Sequence, residues 1–143
     1  MIFRGLGFLS AVALCAFVGA GYAHADPRGL WLAQDGAKVR VISCGKALCG
    51  RIAVAKSPTD PETGRPWTDK DNPDPRLRNR PVVGVEVFIS MMPDGPGKWT
   101  GRLYNVNGGQ TVPGHVIELD RKTIKVEGCA GNMCGSQNMT RIE

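Results

Sequence analysis

The sequence predicts an all-β fold, an eight-stranded antiparallel barrel interrupted by one long proline-rich loop. Three observations carry that expectation. Apolar residues recur at period two along most of the chain, and nothing after the first 25 residues shows a sustained 3.6-residue apolar stripe. Turn-forming clusters separate the alternating runs at short intervals, as they do in meandering sheets. Only the segment 56–81 breaks the rhythm. A meander of eight strands removes its exposed edges by closing on itself, with a two-sheet sandwich as the alternative arrangement.

The first strand runs from Gly29 to Gln34 and stops at Asp35-Gly36. Lys38-Val39-Arg40-Val41 alternates polar and apolar side chains, then turns through the first cysteine loop into Gly50 to Val54. Val83, Val85, Val87, Ile89 and Met91 form one apolar face of a long strand. Phe88 falls on its opposite face, beside Gly84, Glu86 and Ser90. Pro93-Asp94-Gly95-Pro96-Gly97 is a turn cluster that closes a hairpin. Trp99 to Val106 leads to Asn107-Gly108, a hairpin signal because both residue types tolerate positive φ. Gln110 to Leu119 comes next, and Pro113 within it marks an edge, bulge or bend because it has no N–H for a ladder. Asp120-Arg121 turns into Thr123 to Glu127, and a second cysteine loop leads into Ser136 to Ile142. The expected inward set is Val39, Val41, Ile52, Val54, Val85, Val87, Ile89, Leu103, Val116, Ile124 and Val126.

The first 25 residues read as a secretory signal peptide. Arg4 supplies a positive start, Gly5 to Ala20 an apolar run, and Ala23-His24-Ala25 an A-x-A cleavage site. Cleavage after Ala25 leaves a barrel domain over residues 26–143, with the long loop at 56–81, in the periplasm or secreted. No transmembrane span is expected in that mature chain, because it contains no second long apolar stretch. The formal charge of the full sequence is +5, but acidic and basic residues alternate. Only Trp31, Trp67, Phe88, Trp99 and Tyr104 remain as aromatics beyond residue 25. A nucleic-acid binder of the stacking type wants aromatics interleaved with a basic stripe, so no nucleic-acid partner is expected.

Cysteine spacing supports export. Cys15 lies within the signal segment, and Leu14 stands where a lipoprotein anchor would want a small residue. The remaining four repeat one spacing, Cys44-x4-Cys49 and Cys129-x4-Cys134. Three disulfide connectivities are possible, and a four-cysteine zinc site is the rival. An oxidising compartment favours disulfides. Short hairpin loops would bring each local pair, Cys44 with Cys49 and Cys129 with Cys134, within bridging distance.

The 26-residue loop holds six prolines and nearly balanced charge, six basic against five acidic residues. Loops of this length in compact domains are functional or disordered. Trp67 within it would either cap a pocket mouth or tuck the loop onto the barrel. Arg76, Arg78 and Arg80 would share one side if extended, a cradle for a carboxylate or phosphate, or would pair with neighbouring aspartates. Asp69, Asp71 and Asp74 offer oxygen ligands but lack the spacing, glycine and terminal glutamate of a calcium loop, which favours Asx turns. His115 is the one histidine beyond residue 25, in a strand pattern without catalytic partners. No catalytic, metal or cofactor motif emerges, so no enzyme, metal or cofactor is expected.

Five segments together carry a resemblance: Gly29-Leu-Trp31, Cys44-x4-Cys49-Gly-Arg-Ile52, Asp71-Asn-Pro-Asp-Pro-x-Leu-Arg-x-Arg-Pro81, Pro93-Asp-Gly-Pro-Gly-Lys-Trp99 and Gln137-x-x-Thr-Arg141. They resemble domain of unknown function family 2147, exported bacterial proteins, and that resemblance implies a lipocalin-like barrel. Gly29-x-Trp31 is also similar to the opening motif of lipocalins, and Arg141 to the arginine that stacks over its tryptophan. The resemblance implies a plug at one barrel end, an indole with a guanidinium on its face. The function expected is a non-enzymatic exported binding protein holding a small apolar or amphipathic molecule, with Trp67 and the three arginines at its mouth. The competing expectation is a barrel packed solid whose loop meets a cell-envelope component.

Overall fold

Period-two alternation becomes a single closed antiparallel barrel in the computed structural model, which describes residues 24–143. The expected signal segment therefore falls outside the described residues, apart from His24 and Ala25. The strands are β1 (Gly29–Leu32), β2 (Lys38–Cys44), β3 (Ala47–Val54) and β4 (Glu86–Pro93), then β5 (Lys98–Asn105), β6 (Gln110–Asp120), β7 (Thr123–Ala130) and β8 (Met133–Arg141). Each pairs with the next in sequence, and β8 returns to β1 with Trp31 opposite Arg141 and Leu32 opposite Thr140. That pairing consumes both edges of the sheet. No helix among the described residues is long and apolar enough to cross a membrane.

Because neighbouring strands run oppositely, their connections alternate between two ends. The chain termini and the β2–β3, β4–β5 and β6–β7 turns share one end. The β1–β2, β5–β6 and β7–β8 turns share the other, and so does the long β3–β4 connection. A core of Trp31, Val41, Leu48, Met91, Val116 and Ile124 packs between the strands. Cys44 bonds Cys49 and Cys129 bonds Cys134, with Cα atoms 5.8 and 4.1 Å apart. The two bridges therefore lie at opposite barrel ends, which excludes a shared four-cysteine zinc site. The strands also run further into these hairpins than expected, since Cys44 pairs with Ala47 and Ala130 with Met133.

β4 departs most from the expected pattern. Its register slips twice against β3, so Phe88 faces Gly50 while Met91 faces Leu48, and Ser90 adopts a positive φ of 50°. Each bulge inserts an unpaired residue and reverses the facing of the strand beyond it. Phe88 and Met91 are consequently buried, at 5% and 0% exposure, where strict alternation points Phe88 outward. Gly50 makes this possible, because a Cβ there would lie 2.5 Å from the Phe88 ring. Val83 precedes the strand and is exposed, while Val87 and Ile89 are half-buried. Val54, expected inside, is 45% exposed. The extra residue Ala53 sits between the Val39–Ile52 and Lys38–Val54 pairs, which turns Val54 out at the rim.

Candidate functional site

The barrel has one plugged end and one hollow end. At the plugged end Trp31 is wholly buried, and its indole N–H donates to the Pro27 carbonyl at 2.8 Å. The Arg141 guanidinium lies 4.3 Å from the Trp31 ring centroid. It also donates to the carbonyls of Arg28 (2.6 Å), Arg121 (2.9 Å) and Asp26, tying the N-terminal segment and the β6–β7 turn across the opening. Gly29 is required beside it: its φ is 138°, and a Cβ would stand 2.7 Å from an Arg141 nitrogen.

Above the core the interior is not packed solid. A cavity of about 470 Å³ occupies the hollow end, within the usual range for small-molecule pockets. Val39, Val87, Phe88, Leu103, Val126 and Met139 contribute apolar wall. Asp35, Asn105, Asn107, Ser136 and Gln137 add polar groups from the β1–β2 turn, the end of β5, the β5–β6 turn and β8. Gly128 and Gly135, paired across β7 and β8, leave that part of the wall bare of side chains.

The long loop folds over this end. Trp67 and Lys70 face the rim residues Asp35, Ile52 and Asn107 across a smaller recess of about 40 Å³, which shares part of its lining with the main cavity. Trp67 donates from Nε1 to Ser57 Oγ at 2.9 Å, and the Lys56 ammonium sits 4.2 Å from its ring centroid. Backbone contacts close the loop's own base: Val82 N–H donates to the Trp67 carbonyl at 3.0 Å, and Thr68 bridges to Pro81.

A buried polar cluster fixes the loop to the barrel. Asp69 is fully buried. Its carboxylate accepts from Tyr104 (2.6 Å), Asn72 Nδ2 (2.8 Å) and Arg80 Nε (2.9 Å), with Arg80 Nη2 also at 2.8 Å. Asn72 Nδ2 also donates to the Tyr104 hydroxyl at 3.0 Å. Burial pushes the Tyr104 phenol up to about 12, and its bond to Asp69 adds to the shift. A buried ion pair survives only when its remaining valences are satisfied, and here four donors surround one carboxylate.

Arg76, Arg78 and Arg80 do not converge. A 3₁₀ turn over Pro75–Leu77, capped by Asp74, replaces the extended run that would have aligned them. Arg76 pairs with Asp74 on the surface, Arg78 donates to the Asn72 carbonyl at 2.8 Å, and Arg80 serves Asp69. None of the three lines the cavity. The aspartates separate in the same way: Asp69 is enclosed by its donors, and Asp74 caps the turn. His115 Nδ1 lies 2.9 Å from Thr100 Oγ1, whose hydroxyl donates to Asp94 at 2.7 Å, so the ring shares the hydroxyl from its acceptor side. The role of Tyr104 was not apparent from the sequence. Its one signal was an aromatic on the outward face of β5, next to inward Leu103, which implies a cover.

A closed eight-stranded meander with a plugged end and a hollow end defines a lipocalin-like barrel. Among solved structures the chain resembles protein HP1028 from the human pathogen Helicobacter pylori, described as belonging to the lipocalin family. The TM-score is 0.70 at 20% identity, over 83% of this chain and 84% of that one. No curated protein matches the chain. The family model for an uncharacterized protein conserved in bacteria (DUF2147) matches residues 29–141, and the chain belongs to that family.

Proposed function

We propose that the protein is an exported, non-enzymatic carrier that holds one small apolar or amphipathic molecule in its barrel. The cavity carries this reading: about 470 Å³ of space, largely apolar in its walls and polar at its rim. A solid-packed interaction module would have no use for such a hollow. The two disulfides are consistent with an oxidising compartment and support export through the signal segment at residues 1–25, cleaved after Ala25. In this reading Trp67 belongs to the cover over the mouth. Arg76, Arg78 and Arg80 act indirectly, by holding that cover in shape, and the orienting groups for a ligand are those of the rim.

Native mass spectrometry of protein purified from its own cell envelope tests the proposal. The expected result is a mature chain beginning at Asp26 with one reproducible small-molecule adduct, recovered by solvent extraction. A chain retaining Met1, or one that is ligand-free and binds no apolar probe, contradicts it.

A further inference from the structure

Resting on the carrier reading, we infer that the cavity selects apolar molecules bearing a cationic nitrogen and disfavours fatty carboxylates. The charge on the wall points that way. Among the residues lining the main cavity, Asp35 and Tyr104 are the two that ionise, and Tyr104 keeps its proton with its phenol pushed up to about 12. Asp35 alone brings a charge to that wall. It sits in the β1–β2 turn at the rim, where its Oδ1 accepts the Ala37 N–H at 3.0 Å. That bond holds the carboxylate at the cavity's edge.

Lys56 and Lys70 share the small recess with Asp35, but each already has partners. Lys56 lies over the Trp67 ring and reaches Asn107 Oδ1 at 3.5 Å, and Lys70 pairs with Asp60 and Glu62. Both lysines line the small recess and not the main cavity. Arg76, Arg78 and Arg80 are bound to the loop's own acceptors. An anionic head group entering the hollow would meet Asp35 and amide or hydroxyl groups, whereas an ammonium would meet a carboxylate while its chain lies against Val39, Phe88 and Val126. Like charge at a partly desolvated rim is penalised and opposite charge favoured.

Displacement of the uncharged probe N-phenyl-1-naphthylamine tests the inference, with dodecylamine, dodecanol and dodecanoate as competitors sharing one chain length. An exposed ion pair sets the expected preference for dodecylamine over dodecanol at roughly two- to fivefold, with dodecanoate weakest. Asp35→Asn keeps the acceptor for the Ala37 N–H and should bring the amine-to-alcohol ratio toward one, with circular dichroism verifying the fold. Dodecanoate competing as well as dodecylamine, or an unchanged ratio in D35N, overturns the inference while leaving the carrier reading standing. Failure of the wild-type protein to bind the probe at all overturns the carrier reading and this inference with it.

Discussion

Asp69 ties a proline-rich loop, which has little apolar surface of its own, to the outside of β5. Its partners arrive from 3, 11 and 35 residues away, so losing the carboxylate strands several groups at once. Removing one member of a buried, fully bonded pair is far costlier than the pair's net worth. Asp69→Ala should destabilise the protein by on the order of 3 kcal/mol and open the loop to trypsin; denaturant melts and limited proteolysis measure both. Tyr104 gives a second test at this scale. Its phenol is raised in the folded state, so its contribution to stability is complete below about pH 10 and is lost as pH climbs toward 12. Absorbance at 295 nm should show Tyr104 ionising near 12 in the folded protein, and a midpoint near 10 would contradict the buried cluster. The sequence made Trp31 and Arg141 legible through their motif. It did not reveal Asp69 with Tyr104, because nothing in local pattern says which strand a long loop will lie upon. Likewise Arg76, Arg78 and Arg80 form one site only if their segment is extended, and Asp74 capping a 3₁₀ turn undoes that alignment.

At the scale of elements, all eight strands were legible from alternation and turn chemistry, whereas the facing of β4 was not. Its sequence alternates almost without fault from Val83 to Met91, yet two bulges bring Phe88 into the core beside Met91, which the alternation already pointed inward. Alternation reports facing only while the ladder stays in register, and bulges depend on what lies opposite. Gly50 accepts the Phe88 ring, and Gly101 lies against Met91, so the signal for the bulges sat on the neighbouring strands. Ser90 pays for this geometry with a positive φ that favours glycine. Ser90→Gly should therefore be neutral to stabilising, by up to about 1 kcal/mol, whereas Ser90→Val should destabilise, because a β-branched side chain resists that conformation. Thermal melts of the two variants decide this, and equal effects would argue against the bulge. The cysteine hairpins were the more predictable elements, since identical spacing and tight turns leave each pair little choice of partner.

For the molecule as a whole, closure of the meander creates two unlike ends from one topology. Termini, Trp31 and Arg141 seal the first, and the four connections at the second surround a hollow that the long loop only partly covers. A barrel packed solid was the competing expectation from the sequence, but two glycines facing each other on β7 and β8 widen the interior where side chains would otherwise meet. The central claim is that this hollow binds an apolar molecule, and filling it is the most direct test. Gly135 lines the cavity, and a Cβ built on it meets nothing within 4 Å, so Gly135→Trp should place an indole in the space without disturbing the strands. Titration with N-phenyl-1-naphthylamine should give one site per chain in the wild-type protein and at least roughly tenfold weaker binding in G135W, a loss of about 1.4 kcal/mol, with both proteins showing the same far-ultraviolet circular dichroism. Equal binding by the two folded proteins, or none by the wild type, would contradict the account.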